Sequence, residues 1–342
     1  MIKSLTPVPP ATAGPLVRTW ASLYCQLSRK PLPAEIHGMD PSFGPYLEAL
    51  YTAQGRTAPS YVLPQNFLFR TALRNNPSQC LVAFSGGKDC AATALELQRQ
   101  GISPTLFYVK GLNSKSFPSE AVYAARVAGV LDLPFVQVQV QQEGFAEYPD
   151  NPVKNQFILA LMVEWGIRHG FNQFAQGNLG RERLAETNIE FTNSDAAEMY
   201  ETAAQVFDFA TRGTFRYLGG VMDYESRSFA TINETCPAVL DAMLSCITPY
   251  RHRPRLRDRN QVKFGVTLRA EVCGTCYKCA SEYLHRVLMG LDPKVPAYVA
   301  RCTEILRKAH QRLANLPELP SAGDALDWFI EPSIFDKNGL EI

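Results

Sequence analysis

Between residues 80 and 176 the chain alternates short unbroken apolar runs with stretches whose apolar residues recur at helical spacing. Leu81, Val82, Ala83 and Phe84 form a run of strand length, and helical character follows over 91–100. The alternation then repeats as a strand over 105–109, a helix over 119–130 and a strand over 135–140. Residues 152–170 put Val153, Phe157, Ile158, Leu161, Met162 and Trp165 on one helical face and stop at Gly170, and a short strand is expected over 173–175. Such alternation with short connections predicts an α/β fold, a parallel sheet with helices on both faces. A further strand is expected near 239–247, and a mostly helical tail over 280–314 with a break at Pro293 and Pro296. Residues 1–76 are proline-rich and less regular, with short helices expected over 16–27 and 46–52. Three regions result: an accessory region 1–76, a core 77–250 and a helical C-terminal region 251–342.

The first strand runs into Ser85-Gly86-Gly87-Lys88-Asp89-Cys90, and a helix follows. Strand, glycine turn and helix together build an anion site. Glycines let the backbone approach the anion, and the helix start presents free N–H groups and the positive end of its dipole. Ser85 adds a hydroxyl and Lys88 a cation. The spacing is not that of the G-x-x-x-x-G-K-[ST] phosphate loop.

Nine cysteines occur, three of them in Cys273-Gly274-Thr275-Cys276-Tyr277-Lys278-Cys279. This C-x-x-C-x-x-C spacing points to a bound metal, with a tetrahedral thiolate zinc site needing one further ligand. Cys246 is the leading fourth ligand; Cys236, His252 and His285 stay open, as does an iron–sulfur cluster. Cys25, Cys80 and Cys302 read as isolated buried thiols.

Composition changes little in this picture. The 342 residues are 46% hydrophobic and 20% charged, with a net charge of +1, which gives no global field for nucleic acid or an anionic membrane. No apolar run reaches membrane-spanning length, and the N-terminus lacks the apolar core of a signal peptide. Metal-binding thiols fit a reducing, cytoplasmic setting better than a disulfide framework. One local exception is a basic run, Arg251, Arg253, Arg255, Arg257 and Arg259, expected as a loop.

The Ser85–Asp89 turn resembles the SGGxDS signature of the PP-loop ATP pyrophosphatases, with Cys90 where that family usually has serine. Together with the cysteine triplet, the stretch 80–290 is similar to the 7-cyano-7-deazaguanine synthase branch of that superfamily. Tyr108, Lys110, Gly111 and Glu120 stand where the branch has its polar substrate loop, Lys154-Asn155 for its Arg-Asn pair, Gly177-Asn178 for its strand-end glycine, and the segment with Asp195 for its Tyr-Pro-Asp-Cys stretch. The chain departs from the branch at Cys90, at Lys110 and Asn113, and in having no cysteine eight or nine residues before the triplet.

The resemblance implies a Rossmann-like core that binds ATP with Mg²⁺ through Ser85, Gly86, Gly87, Lys88, Asp89, Cys90, Gly177 and Asn178. Thr93 or a backbone N–H would replace the hydroxyl missing at Cys90. Lys88, Asp89 and Lys154 would be catalytic, and Tyr108, Lys110, Asn155 and Asp195 would face the substrate, with Phe107 and Phe117 as further stacking faces and Glu198 as a second acceptor. Cys246, Cys273, Cys276 and Cys279 would hold Zn²⁺. The implied reaction is carbon–nitrogen ligation: adenylation of a carboxylate such as 7-carboxy-7-deazaguanine, release of pyrophosphate, and transfer to ammonia or another amine. Two other readings stay open: a tRNA-modifying enzyme of the thiolation type, which needs a cysteine pair such as Cys90 with Cys236, and a protein that conjugates a deazapurine acyl group to a protein partner docked on residues 1–76. The expected partner is a small molecule; nucleic acid and a homodimer are left open, and a membrane is not expected.

Overall fold

The computed structural model describes residues 3–8, 14–27, 33–37, 39, 41–52, 56–57, 59–62, 71–110, 112, 120–140, 153–177, 197–219, 225–244, 246, 254–269 and 271–314. In chain order its elements are β1 (Lys3–Val8), α1 (Pro15–Leu27), β2 (Glu35–His37), α2 (Gly44–Thr52), β3 (Ser60–Val62), β4 (Gln79–Ala83), α3 (Lys88–Arg99), β5 (Ser103–Lys110), α4 (Glu120–Leu131), β6 (Phe135–Val140), α5 (Lys154–His169), β7 (Gln173–Gln176), α6 (Ala197–Ala210), β8 (Arg216–Tyr217), α7 (Glu225–Thr235), α8 (Ala238–Ala242), α9 (Pro254–Phe264), α10 (Tyr277–Leu288) and α11 (Pro296–Ala314).

The centre is a six-stranded sheet in the order β1-β6-β5-β4-β7-β8, every neighbouring pair parallel. The expected α/β architecture with helices on both faces is observed. Strand alternation separates the faces. Leu81, Phe107, Val109, Val138 and Phe174 pack with α1, α5 and α6, whereas Cys80, Val82, Leu106, Tyr108 and Ala175 pack with α3, α4, α7 and α8. A third apolar cluster, from Cys246, Val266, Cys273, Leu284, Tyr298 and Cys302, belongs to the C-terminal helices.

The described residues of the 1–76 region join both the sheet and its core. β1 extends the sheet edge beside β6, where Pro7 is tolerated because an edge strand has one unpaired side. Trp20 of α1 is fully buried among Phe43, Tyr46 and Phe207, with ring centroids 4.9, 5.0 and 5.4 Å away. Glu164 of α5 accepts from Gly14 N at 2.6 Å and Val17 N at 2.9 Å, so a core carboxylate caps the start of α1. β2 and β3 form a separate parallel pair.

Two expectations are corrected. The stretch expected as a strand near 239–247 is helical over Ala238–Ala242, with Val239, Leu240, Ala242 and Met243 all buried. Its apolar residues fall at i, i+1, i+3 and i+4, which is helix spacing, and Pro237 sits at its start. The arginine run expected as a loop is helical from Pro254 to Phe264, while Arg251 and Arg253 lie outside the described residues. Among the described residues, no helix is long and apolar enough to cross a membrane.

Candidate active site and metal centre

β4 sits mid-sheet. The chain first fills one side with β5 and β6, then crosses to the other with β7 and β8. The reversal lies between β4 and β7, and the crevice outside such a switch point is where open parallel sheets bind ligands. The Ser85–Asp89 turn leaves the carboxyl end of β4, and Gly177 leaves that of β7.

Close backbone approach explains the glycines. Gly86 has φ +79°, and a Cβ there would lie 2.7 Å from Ala124 N and Cα of α4. A Cβ on Gly177 would lie 2.6 Å from Asp89 C, 2.7 Å from Cys90 Cα and closer still to Cys90 N. Gly177 is therefore seated against the first turn of α3. Gly87 starts that helix in extended conformation without a side-chain cap, and Ala91 N makes the first helical bond, to Gly87 O. The turn thus presents the start of α3 at the switch point.

Side chains around the turn are tied down. Lys88 Nζ donates to Asp89 Oδ2 at 2.8 Å, and Ser228 Oγ of α7 donates to Asp89 Oδ1 at 2.9 Å. Each Asp89 oxygen keeps acceptor capacity, so this carboxylate fits a role at a Mg²⁺–nucleotide. It does not cap α3. Cys90 is buried; its Sγ donates to Gly87 O at 3.1 Å and lies 3.8 Å from Ser85 Oγ. Burial pushes the Cys90 thiol above its ordinary pKa, so it stays protonated at neutral pH. Thr93, the implied replacement for the missing hydroxyl, is buried and its Oγ1 donates to Asp89 O at 2.8 Å.

The other expected residues divide between the two sheet faces. Lys110 ends β5 at the same carboxyl edge, on the Tyr108 side. Lys154 and Asn155 open α5 on the opposite face, where Gln176 Nε2 donates to Asn155 O at 2.9 Å and so ties α5 to the end of β7. Tyr108 is buried, stacked on Phe135 with centroids 6.4 Å apart, and its hydroxyl donates to Glu120 Oε2 at 3.3 Å. Burial first, and the Glu120 carboxylate second, push its phenol up, leaving a neutral donor. Its ring is occupied by the core and offers no open stacking face; Phe107, on the other face, is buried edge-on to Trp165. Gly111, Asn113, Phe117, Asn178 and Asp195, and the side chain of Glu198, lie outside the described residues.

The candidate metal centre is built from two distant pieces of chain. The four Sγ atoms of Cys246, Cys273, Cys276 and Cys279 lie within 4.8 Å of one another. Cys273–Cys279 and Cys276–Cys279 separations are 3.8 and 3.4 Å. Four thiolates at about 2.3 Å from one Zn²⁺ stand about 3.8 Å apart along a tetrahedron edge. The donor set therefore fits a single tetrahedral ion, and it is too tight for a cluster that spreads its thiolates over several irons. Hydrogen bonding with Cys246, then Cys276 and Cys279, holds Cys273 below its ordinary pKa. His285 is elsewhere: its Nδ1 lies 2.7 Å from Ser281 O and its ring stacks on Phe229. Cys236 is not part of the thiol group among the described residues, and His252 lies outside them.

Sequence reasoning missed the residues that aim these ligands. Arg269 donates to Leu240 O at 3.0 Å, Met243 O at 2.7 Å and Glu282 Oε1 at 3.1 Å, which fastens the chain just before Cys246 to α10. Asn260 Nδ2 and Tyr298 OH both donate to Gly274 O, at 3.2 and 3.1 Å, and Gly274 adopts φ +68° within the knuckle. Asn260 sits on the inner side of α9, while Arg255, Arg259, Val262 and Lys263 are exposed on its outer side. A polar apolar-face residue and a lone arginine leave no periodic trace in sequence.

No protein-family model matches the chain, and a search of curated proteins finds no match. Among solved structures, the chain is similar in part to a predicted subunit of a tRNA methyltransferase from Methanocaldococcus jannaschii, at 16% sequence identity and a TM-score of 0.30, over 46% of this chain and 87% of that one. A likeness this slight bears on neither the chemistry nor the assignment of a family.

Proposed function

We propose that this chain is an ATP-dependent enzyme of the PP-loop type that adenylates a carboxylate and hands the acyl group to ammonia or another amine. The observation that supports it most is the glycine turn Ser85–Asp89, leaving the central strand at the switch point with Gly177 packed on the first turn of α3. Such a turn suits the pyrophosphate of ATP, with the backbone and Lys88 spreading its charge and Lys154 answering from α5. Chemistry of this kind relies on positioning and charge neutralisation rather than on a protein nucleophile. One substrate carboxylate oxygen attacks the α-phosphate and pyrophosphate leaves. The amine then attacks the acyl carbon and AMP leaves with that oxygen. Zn²⁺ held by the four cysteines would be structural, since four protein thiolates leave no open position.

The substrate we propose is 7-carboxy-7-deazaguanine or a close relative, with Lys110 and Lys154 as the cations near its carboxylate. A thiolation route is disfavoured, because Cys90 is a buried neutral thiol and the thiolate is the reactive form. The exposed basic outer side of α9 favours one second reading, in which RNA carries the acceptor. Calorimetry with the deazaguanine acid and a non-hydrolysable ATP analogue tests the first reading, and binding is expected only with the analogue present. Binding of tRNA instead, weakening steeply with salt, would transfer the assignment to the second.

A further inference from the structure

Ser228 has no place in the signature of the turn, and its hydroxyl differs from several helical hydroxyls among the described residues. Thr19, Thr93 and Thr303 each bond back to the carbonyl four residues earlier in their own helix, at 2.9, 2.8 and 3.0 Å. Ser228 instead reaches across to Asp89 Oδ1 at 2.9 Å, over a separation of 139 residues. Its side chain is fully buried, so the donor is shielded from water while the Asp89 carboxylate keeps partial exposure. With Lys88 Nζ on Oδ2, it fixes both oxygens of the Asp89 carboxylate and hence its rotamer.

The next residue on the same helix faces the metal half. Phe229 stacks on His285 of α10, centroids 4.5 Å apart and rings 13° from parallel, both buried. Cys276 caps the start of α10, its Sγ accepting from Cys279 N. α7 thus lies between the nucleotide turn and the helix that grows out of the cysteine knuckle.

We infer that Ser228 is a positioning residue that sets the orientation of Asp89 for the Mg²⁺–nucleotide, and that α7, braced by the Phe229–His285 stack, is its support. This rests on the nucleotide reading of the Ser85–Asp89 turn. A carboxylate that has lost one buried donor swings or tilts, and its metal-facing lone pairs no longer converge with the start of α3. Hydrogen bonds to charged groups are strong enough that losing this one should weaken nucleotide binding about tenfold or more.

The test is a double-mutant cycle read by calorimetry with MgATP on the full chain, with thermal unfolding alongside. Ser228→Ala should weaken MgATP binding about tenfold or more, and Ser228→Thr, which keeps the hydroxyl, should recover most of the affinity. In an Asp89→Asn background, Ser228→Ala should cost nothing further, because Ser228 acts through that carboxylate. Should Ser228→Ala fail to fold, Ser228→Cys, a weak donor of similar size, takes its place in the cycle. Equal MgATP affinity in wild type and Ser228→Ala, or full additivity with Asp89→Asn, would overturn the role of Ser228 and leave the nucleotide reading standing. No MgATP binding by the wild type would overturn both.

Discussion

Replacing Gly177 by alanine isolates the feature on which the nucleotide reading leans. The added Cβ meets backbone, Asp89 C at 2.6 Å and Cys90 Cα at 2.7 Å, where ordinary contacts begin at 3.4 Å. Backbone cannot rotate away as a side chain does, so α3 and the end of β7 must part by on the order of 1 Å. Overpacking of this kind costs about 1–3 kcal/mol of stability. A displacement of about 1 Å in a positioning element also costs about a hundredfold in rate. The control is Gly101→Ala: Gly101 has φ +78° but nothing within 4 Å, so that variant adds backbone strain of about 1–2 kcal/mol without touching the turn. Urea unfolding and pyrophosphate release, measured on both variants, separate the two effects. Gly177→Ala should lose both stability and activity, and Gly101→Ala stability alone. Wild-type activity in Gly177→Ala, or equal loss of activity in the two, would refute the argument that Gly177 holds the turn.

Cys246→Ser should abolish stoichiometric metal binding as fully as Cys276→Ser does, measured by elemental analysis, since both remove a ligand of a four-thiolate ion. Cys90 should resist iodoacetamide at neutral pH and react only well above the ordinary thiol pKa, because burial raises it; rapid labelling at pH 7 would contradict its placement. Cys90→Ser should keep or strengthen MgATP affinity, as a hydroxyl is the better donor to the neighbouring Gly87 carbonyl and to an anion, whereas loss of binding would point to a specific need for the thiol. Glu164→Ala removes the acceptor for Gly14 N and Val17 N and should cost about 0.5–2 kcal/mol in urea unfolding, with activity retained.

The core was readable because its two signals are local. An apolar run broken by two glycines before a helix announces β4, the turn and α3, and a C-x-x-C-x-x-C run announces its own metal. Element ends were less legible. α3 begins at Lys88 rather than at residue 91, because Gly87 ends the turn in extended conformation and the apolar face of α3 starts only at Cys90. α9 reads as a loop in the sequence because the most deeply buried of its described side chains is Asn260, a polar residue that breaks the apolar period. β1 was hidden by proline-rich surroundings and by pairing with a strand far along the chain. Ser228 and Arg269 left no signal at all: their partners lie on other elements, and only the folded chain brings them together.

In the proposed reaction a carboxylate is activated at the α-phosphate of ATP. This activation is tested most directly by incubating the protein with ATP, ammonium and 7-carboxy-7-deazaguanine labelled with ¹⁸O in its carboxylate, then identifying the phosphorus products by NMR and mass spectrometry. Pyrophosphate and an AMP carrying one ¹⁸O are expected, with both lost in Lys88→Ala. ADP with inorganic phosphate, or AMP without the label, would contradict this reaction.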